Sequence, residues 1–429
     1  MVHLERAVTA ARRLDRVEGH ELVTVFSDLG RTLELLGEYQ RADDAYRDAA
    51  LASTGDPLVR ARMAHRRAHL RSEYLGRPSA AIRQLRAGRA ELGERGSDAA
   101  GLRALLIAEE ANVRERQGRL DEALACARVA VAEAEGASDA RALALSLDVL
   151  NTCLIRTGHS EQAEHMGRVL ELYEELGDEV QVAIALGNIA AVAFFASEWD
   201  KAAEYVARSA DASTMAGDLA GAAMSRVNLG ELRVNQGRLD EAMALLGPAR
   251  RELESYGYRM MTAVAAMQLG RAMVFLGDLD GGVAMVSDAA DTFDEIGSHV
   301  ESLEARARLA EVLTFGGRLG PARRALAQAR EFERDVGETA VTALVDRIDL
   351  MISAAEGEGA SVRARLSGFL ERAQRLGALY EVLVIESALV QMGLGAMKSE
   401  VIGSSGSVTD PRRLARSLGV VTLPMLTPA

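Results

Sequence analysis

Few side chains in this sequence have a type and spacing that would support catalysis or metal binding. His65 and His69 are four residues apart, which places both imidazoles on one helix face, where they could bind a metal ion. No third ligand follows nearby, so we interpret the pair as solvated or groove-lining side chains and expect no metal site. Cys126 and Cys153 stand at helix positions typical of small apolar residues, and we interpret them as inert core thiols.

Phosphate-binding and hydrolase motifs are also missing from the sequence. Neither lysine, Lys201 or Lys398, follows a glycine, so the sequence has no P-loop. The segment Gly357-Glu-Gly359 lacks the third glycine and the preceding strand of a dinucleotide-binding turn. The serine motif Gly-x-Ser-x-Gly is absent, and the carboxylates are spread over the polar faces of amphipathic segments. We therefore expect no catalytic residues, no enzymatic activity and no cofactor.

Composition limits the elements that could position a site. The chain has 429 residues, more than the ~250–300 that one core usually supports, so several domains or a repeat array are expected. Apolar residues make up 48% and aromatic residues only 4%, and the abundant Ala, Leu, Arg and Glu favour helices. The net charge of −13 argues against direct binding to nucleic acid. The longest apolar stretch, 182–196, is too short for a membrane span, and we expect a cytoplasmic protein.

Two interleaved series of glycines recur every 40 residues. Gly237, Gly277 and Gly317 belong to the first series, and Gly257 and Gly297 to the second. Each period therefore holds two helix-length segments, each closed by a glycine suited to the end of a helix. The pattern predicts nine helical hairpins, each with a first helix, a turn and a second helix.

Small residues recur inside each period at positions where two helices would meet. Leu229-Gly230 and Leu269-Gly270 precede the turn glycines, and an alanine such as Ala242 follows five residues after the turn. This pattern resembles the tetratricopeptide repeat, with a period longer than the usual 34 residues. The resemblance implies an all-α, right-handed superhelix without a sheet. We expect an orphan N-terminal helix over 1–18, the array over 19–394, and a flexible tail with a short basic helix over 395–429.

Several segments resemble the C-terminal repeat region of large actinobacterial regulators. They are Leu-Glu-Leu-Leu-Gly-Glu-Tyr at 33–39, Arg-Gln-Gly-Arg-Leu-Asp-Glu-Ala at 116–123, Tyr-Glu-Glu-Leu-Gly-Asp at 173–178, Gly-Asn-Ile-Ala at 187–190 and Asn-Leu-Gly-Glu-Leu at 228–232. Such regulators carry a nucleotidyl cyclase or a LuxR-type DNA-binding domain, and an ATPase module, ahead of arrays like that of MalT. The resemblance, with the bare apolar face expected for helix 3–17, implies an upstream domain in the same polypeptide or a second copy of the chain.

A ladder of polar residues recurs along the first helices, which line the concave face in arrays of this kind. The candidate groove residues are Asn188, Asn228, Gln268 and Arg308, then Glu231, Arg271 and Glu311, and the aromatic residues Phe195, Phe275 and Phe315. As exposed groups they could hydrogen-bond the backbone of an extended peptide. The alternatives are that the asparagines bridge adjacent helices and that the aromatic rings fill the core between helices.

The sequence therefore predicts a non-catalytic scaffold or sensor that binds a peptide or protein partner in its concave groove. Its setting would be bacterial signalling or transcriptional regulation. One alternative is the C-terminal regulatory region of a multidomain nucleotidyl cyclase or ATPase, and another is a sensor for a small-molecule inducer. The identity of the partner, the oligomeric state and the role of the tail stay open at this level.

Overall fold

A computed structural model describes most of the chain. It covers residues 19–35, 38–53, 55–93, 96–157, 162–195, 198–337, 339–391, 401–402, 408–409, 415 and 418–421. Over these ranges the structure contains nineteen helices, in which nine hairpins are followed by one further helix. The all-α class and the array of helical hairpins are thereby confirmed. The expected orphan helix over 1–18 lies outside the described residues.

The helices form two compact units, which divide in sequence between Asp178 and Glu179. The division falls inside the array expected over 19–394, and a single array across both units stays a prediction. The first unit holds four hairpins whose consecutive helices pack against one another. Its helices are α1 (Gly19–Leu35), α2 (Tyr39–Ala52), α3 (Pro57–Glu73), α4 (Pro78–Leu92), α5 (Ser97–Arg116), α6 (Leu120–Ala137), α7 (Ala140–Thr157) and α8 (Gln162–Leu176).

The second unit holds five hairpins and a final first helix, α19, which was expected from the pattern over 379–394. Most of its buried side chains belong to one continuous core that runs from Ala193 to Leu389 and includes Leu418. Its helices are α9 (Glu179–Phe195), α10 (Trp199–Met215), α11 (Leu219–Asn235), α12 (Leu239–Ser255), α13 (Arg259–Phe275), α14 (Leu279–Ile296), α15 (His299–Phe315), α16 (Leu319–Val336), α17 (Ala340–Ala355), α18 (Gly359–Arg375) and α19 (Leu379–Gln391). None of the described helices in either unit is long and apolar enough to cross a bilayer.

The turn glycines of the first series occupy equivalent backbone positions. Gly237, Gly277 and Gly317 have φ angles of +74°, +103° and +68°, in the left-handed region that residues with a Cβ rarely adopt. The amide of each bonds to a carbonyl three residues earlier and ends the first helix of its hairpin. The 40-residue glycine spacing therefore reflects the need for the same backbone conformation at each turn.

Close helix packing inside a hairpin explains the small residues before the turns. A Cβ built on Gly270 of α13 would lie 2.7 Å from the carbonyl oxygen of Gly282 on α14. A Cβ on Gly282 would lie 2.5 Å from the carbonyl oxygen of Gly270. Both distances are shorter than van der Waals contact, so the two backbones approach closely only because both residues are glycine.

Part of the C-terminal segment packs on the second unit. Leu418 is fully buried, its carbonyl accepts a 3.0 Å hydrogen bond from Nε2 of Gln236, and the amide of Val421 donates to the Gln236 carbonyl. The flexible tail expected over 395–429 is therefore attached to the array at these residues. Ahead of it, the strands β1 (Val401–Ile402) and β2 (Val408–Thr409) form a short antiparallel pair, a small departure from the expected absence of a sheet.

Candidate binding pocket in the second unit

A cavity of about 370 Å³ lies among the helices of the second unit. First helices of four hairpins, the final helix α19 and the second helix α10 surround it, so residues far apart in sequence share one space. Apolar and aromatic side chains line it together with carboxylates and a guanidinium group. The lining residues include Gly187, Ala191, Phe194, Trp199, Asn228, Glu231, Asn235, Glu304, Arg308, Leu344, Tyr380 and Glu381.

Three aromatic side chains form the apolar wall. The rings of Phe194 and Trp199 are stacked 5.3 Å apart, and Tyr380 of α19 lies 5.1 Å from the Trp199 ring. The indole Nε1 of Trp199 donates a 3.1 Å hydrogen bond to the carbonyl oxygen of Phe194, so the buried polar atom of this side chain has a partner. The wall therefore joins the start of the second unit to its final helix.

Glu311 is the centre of a buried ion network beside the cavity. Its Oε2 lies 3.2 Å from Nε of Arg271 and 3.3 Å from Nη1 of Arg308, and its Oε1 accepts a hydrogen bond from Arg347. Burial alone would raise the pKa of the Glu311 carboxyl, but Arg347, Arg271 and Arg308 together hold it well below its usual range. Glu311 is therefore ionised and satisfied inside the core.

The arginines around Glu311 have further partners that fix their positions. Nη1 of Arg271 donates to Oε1 of Gln268 at 2.7 Å and to Oδ1 of Asn235 at 3.1 Å. Arg347 also pairs with Glu381, which reaches the cavity from α19. Arg308 pairs with Glu304 at 3.4 Å as well as with Glu311. Nη2 of Arg271 is buried without a hydrogen-bond partner among the described residues, so the network fixes the guanidinium groups without using every donor.

Glu231 differs from the other carboxylates of the pocket. It lines the cavity, is part-buried, and has no ion pair or hydrogen bond within the described part of the chain. Burial, reinforced by the negative charge of Glu304, raises its pKa to about 7 against the opposing effect of Arg308 and Arg271. An acid placed this way exchanges its proton near neutral pH and is open to a cationic partner.

The structure brings only part of the predicted polar ladder to the cavity. Asn228, Glu231 and Arg308 line it, whereas Asn188 is exposed outside it. The sequence led us to expect exposed groove groups at Gln268, Arg271 and Glu311, and this expectation is wrong. They are at most 1% exposed and bond to one another behind the wall. Facing first helices pack closely enough to exclude water from these positions.

The expected aromatic stripe is also altered. Phe275 and Phe315 contact each other edge to face with their centroids 5.2 Å apart, and Phe315 is buried. Neither ring lines the cavity, so the inter-helix alternative describes this pair. The side chain of Phe195 lies outside the described residues.

Several important pocket residues were not identified from the sequence. Trp199 and Tyr380 form the aromatic wall, while Glu304, Arg347 and Glu381 complete the charged side. Trp199 is the sole tryptophan of the chain and follows a predicted turn, which is the one signal that could have drawn attention to it. The others stand at positions that do not repeat through the array.

The paired histidines lie in the first unit and make a different contact. Nδ1 of His69 lies 3.3 Å from Oε1 of the buried Glu109, and this hydrogen bond is the main reason why the pKa of His69 is raised. Burial lowers the pKa of His65. Across the described ranges, no three side chains are grouped as a metal site would require.

Comparison with known proteins gives matches in structure. No protein-family profile matches the sequence, and a search of curated proteins found no significant match. A STAND signal-transduction ATPase with a tetratricopeptide repeat sensor, from Pyrococcus horikoshii, superimposes with a TM-score of 0.56 at 13% identity, over 77% of this chain. The match covers 52% of that ATPase, so this chain corresponds to about half of it.

Two further solved structures are similar over most of their own length. The apo form of RapI matches with a TM-score of 0.53 at 14% identity, covering 73% of this chain and 98% of RapI. The apo form of the quorum sensor NprR from B. thuringiensis matches with a TM-score of 0.51 at 13% identity, covering 76% of this chain and 91% of NprR. Identities this low establish a shared fold. The chain is a tetratricopeptide-repeat-like array of helical hairpins.

Proposed function

We propose that this chain is a non-catalytic scaffold or sensor that binds a peptide or protein partner at the cavity of the second unit. The observation that carries the proposal is that an aromatic wall, Trp199 and Tyr380, lines the same cavity as Glu231, whose carboxylate has no ion pair or hydrogen bond in the described part of the chain. A pocket with an apolar body and a few polar groups is the usual form of a recognition site.

The dimensions suit one or two side chains of a peptide. A volume of about 370 Å³ is near the lower end of the ~300–1,000 Å³ typical of ligand pockets. Outside the cavity, the exposed amide of Asn188 on α9 and that of Asn228 at the pocket edge could hydrogen-bond the backbone of the same peptide. The ligand would then be anchored by a side chain and aligned by the amides.

The same volume supports a second candidate, a sensor for a small-molecule inducer, because a small ligand would also fit the cavity.

A place in bacterial signalling or transcriptional regulation rests on the sequence resemblance to repeat regions of large regulators. The same resemblance is the basis for proposing an upstream catalytic or DNA-binding domain as a partner. A second copy of the chain, in a homodimer, is the other proposed partner. Determination of the gene sequence upstream of this chain would distinguish a free-standing scaffold from the regulatory region of a cyclase or ATPase.

Blocking the cavity tests the proposed site. Ala191 is exposed and lines the cavity, so Ala191→Trp would fill the space without a change in the core. Ala207 is an exposed alanine on α10 that does not line the cavity, and Ala207→Trp is the matched control. Peptides selected from a random display library on the wild-type chain should bind the control normally and bind Ala191→Trp at least about tenfold more weakly. Equal binding to both variants would exclude the cavity as the site.

A further inference from the structure

We propose that the pocket selects a cation, an alkylammonium or guanidinium group on an apolar body, held between the Glu231 carboxylate and the aromatic wall. This inference rests on the proposed function of the cavity and adds the chemistry of its ligand. The cation could be a free amine, the amino terminus of a peptide or a basic side chain, because all present the same charged donor.

The charges around the cavity favour a positive ligand. Four carboxylates, those of Glu231, Glu304, Glu311 and Glu381, meet three guanidinium groups, those of Arg271, Arg308 and Arg347. Glu304, Glu311 and Glu381 each pair with an arginine, whereas Glu231 pairs with none in the described ranges. With Glu231 ionised, this group of side chains has one uncompensated negative charge, and a bound cation would balance it.

The same charges disfavour an anionic ligand. Arg308 is the one arginine among the described residues that line the cavity, and it is already paired with Glu304 and Glu311. Arg271 and Arg347 are fully buried behind the wall and bonded to Glu311. A ligand carboxylate would therefore approach Glu231 and Glu304 at a site where each arginine already has an acidic partner, and the repulsion would oppose binding.

The aromatic wall suits the rest of such a ligand. Phe194, Trp199 and Tyr380 line the same cavity as Glu231 and contribute apolar carbon surface to it. A cation within ~6 Å of an indole or phenol ring is attracted by the electron-rich ring face, and the attraction increases when water is excluded. An apolar body packed on Phe194 would carry its ammonium group toward the carboxylate, which combines two modest interactions in one ligand.

Three small probes of similar shape test the sign of the charge. Phenethylamine is the cation, phenethyl alcohol its neutral isostere, and hydrocinnamate an anion of similar size. Binding to the full chain can be followed by titration calorimetry and by the emission of Trp199, the sole tryptophan, which lies in the pocket wall. We expect the amine to bind at least about tenfold more tightly than the alcohol, and hydrocinnamate to bind most weakly.

Two charge-removing variants assign the preference to its residue. Glu231→Gln should reduce the preference for the amine to near unity while the alcohol still binds, which shows that the pocket is intact. Glu371 on α18 is exposed and outside the pocket, so Glu371→Gln removes the same charge and should leave the preference unchanged. Equal affinity for amine and alcohol, a preference that survives Glu231→Gln, or no saturable binding of the amine at millimolar concentration would overturn the inference.

A peptide arm separates the sources of the cation. Acetyl-Leu-Arg-Leu-amide presents a basic side chain with both ends blocked, and its citrulline analogue removes only the charge. Binding of the arginine peptide alone would assign the site to a basic side chain, and binding of phenethylamine alone to a free amine. If Ala191→Trp abolishes binding while Glu231→Gln does not, the cation inference fails and the proposed site stands. If neither variant changes binding, the proposed site fails as well.

Discussion

Nε of Arg271 donates a hydrogen bond to Oε2 of Glu311 across 3.2 Å, and the two residues are one 40-residue repeat apart. They occupy the same position on the first helices of consecutive hairpins. With Glu231 one repeat earlier, this position has the order acid, base, acid along the array. The alternation allows neighbouring helices to bury charged side chains, because each base meets an acid on the next helix.

Removal of one member of this network should strongly destabilise the second unit. Glu311→Ala would leave Arg271, Arg308 and Arg347 without their shared carboxylate in a region closed to water. We expect a loss of about 3–5 kcal/mol in the free energy of unfolding, because a buried charge is left uncompensated. Urea denaturation followed by circular dichroism would measure it.

Asn228→Ala provides the comparison, because its side chain is exposed and is not part of the network. We expect this change to alter the free energy of unfolding by no more than ~0.5 kcal/mol. The sequence pattern alone led us to treat Arg271, Glu311 and Asn228 alike as exposed groove groups, and exposed groups can usually be replaced with little loss of stability. An unaltered denaturation midpoint for Glu311→Ala would restore that earlier expectation.

Glu231 should give the second unit a pH dependence of opposite sign to that of a paired acid. Its pKa is raised from 4.5 to about 7 in the folded chain, so between these values the folded state holds a proton that the unfolded state has released. The Glu231 contribution to the free energy of unfolding therefore falls as the pH rises through this window. The groups that face it are Glu304, Arg308 and Arg271.

Glu231→Gln should remove this dependence, so its stability relative to wild type should rise as the pH increases from 4.5 to about 7 and then level off. Glu311 is present in both proteins, so its own contribution cancels in this difference. Thermal melts across the window would measure the difference, with Glu371→Gln as the reference. A constant difference between Glu231→Gln and wild type would be inconsistent with the raised pKa.

The glycine contact between α13 and α14 should not tolerate a methyl group. Gly270→Ala places a Cβ 2.7 Å from the Gly282 carbonyl oxygen, and we expect overpacking to cost ~1–3 kcal/mol. Gly368 of α18 is exposed and has open space around its Cβ position, so Gly368→Ala should instead stabilise the chain by ~0.5–1 kcal/mol. Denaturant titrations of both variants decide the point, and equal effects would contradict the packing argument.

The attachment of the C-terminal segment can be tested at Leu418. This side chain is fully buried against the second unit, and we expect Leu418→Ala to lower the free energy of unfolding by ~2–5 kcal/mol. Val421 is 68% exposed, so Val421→Ala should have little effect. Hydrogen exchange at the Val421 amide, which bonds to the Gln236 carbonyl, should also become faster in Leu418→Ala. Unchanged exchange and stability would show that the segment does not contribute.

The sequence was sufficient for the helices and turns because these depend on local chemistry. Gly237, Gly277 and Gly317 require a positive φ, and small residues such as Gly270 are required where helices meet, so both recur with the repeat. Each of these constraints acts between neighbours in sequence. A period read from such residues therefore predicts the hairpins that the structure contains over its described ranges.

The pocket was harder to predict because it depends on contacts between distant helices. The exposure of Arg271 could not be judged from its own helix, since Glu311 and Gln268 are what exclude water from it. Tyr380 reaches Trp199 from the last helix of the unit, a contact that no repeat pattern encodes. The opposite signs of Arg271 and Glu311, one repeat apart, are readable from the sequence, and they predict the pairing of these two residues better than their exposure.

The bond between Gln236 and Leu418 has a consequence for how the second unit melts. In a stack of hairpins most contacts join neighbours, which lets the terminal hairpin fray first and unfolding spread inward. Here Gln236 and Leu418 are 182 positions apart, and Trp199 on α10 contacts Tyr380 on α19. The first two hairpins of the unit are thus held to its final helix and to the C-terminal segment, which favours all-or-none melting. A ligand bound next to the Trp199–Tyr380 contact would therefore make the unfolding transition of the unit sharper, even if no helix moved.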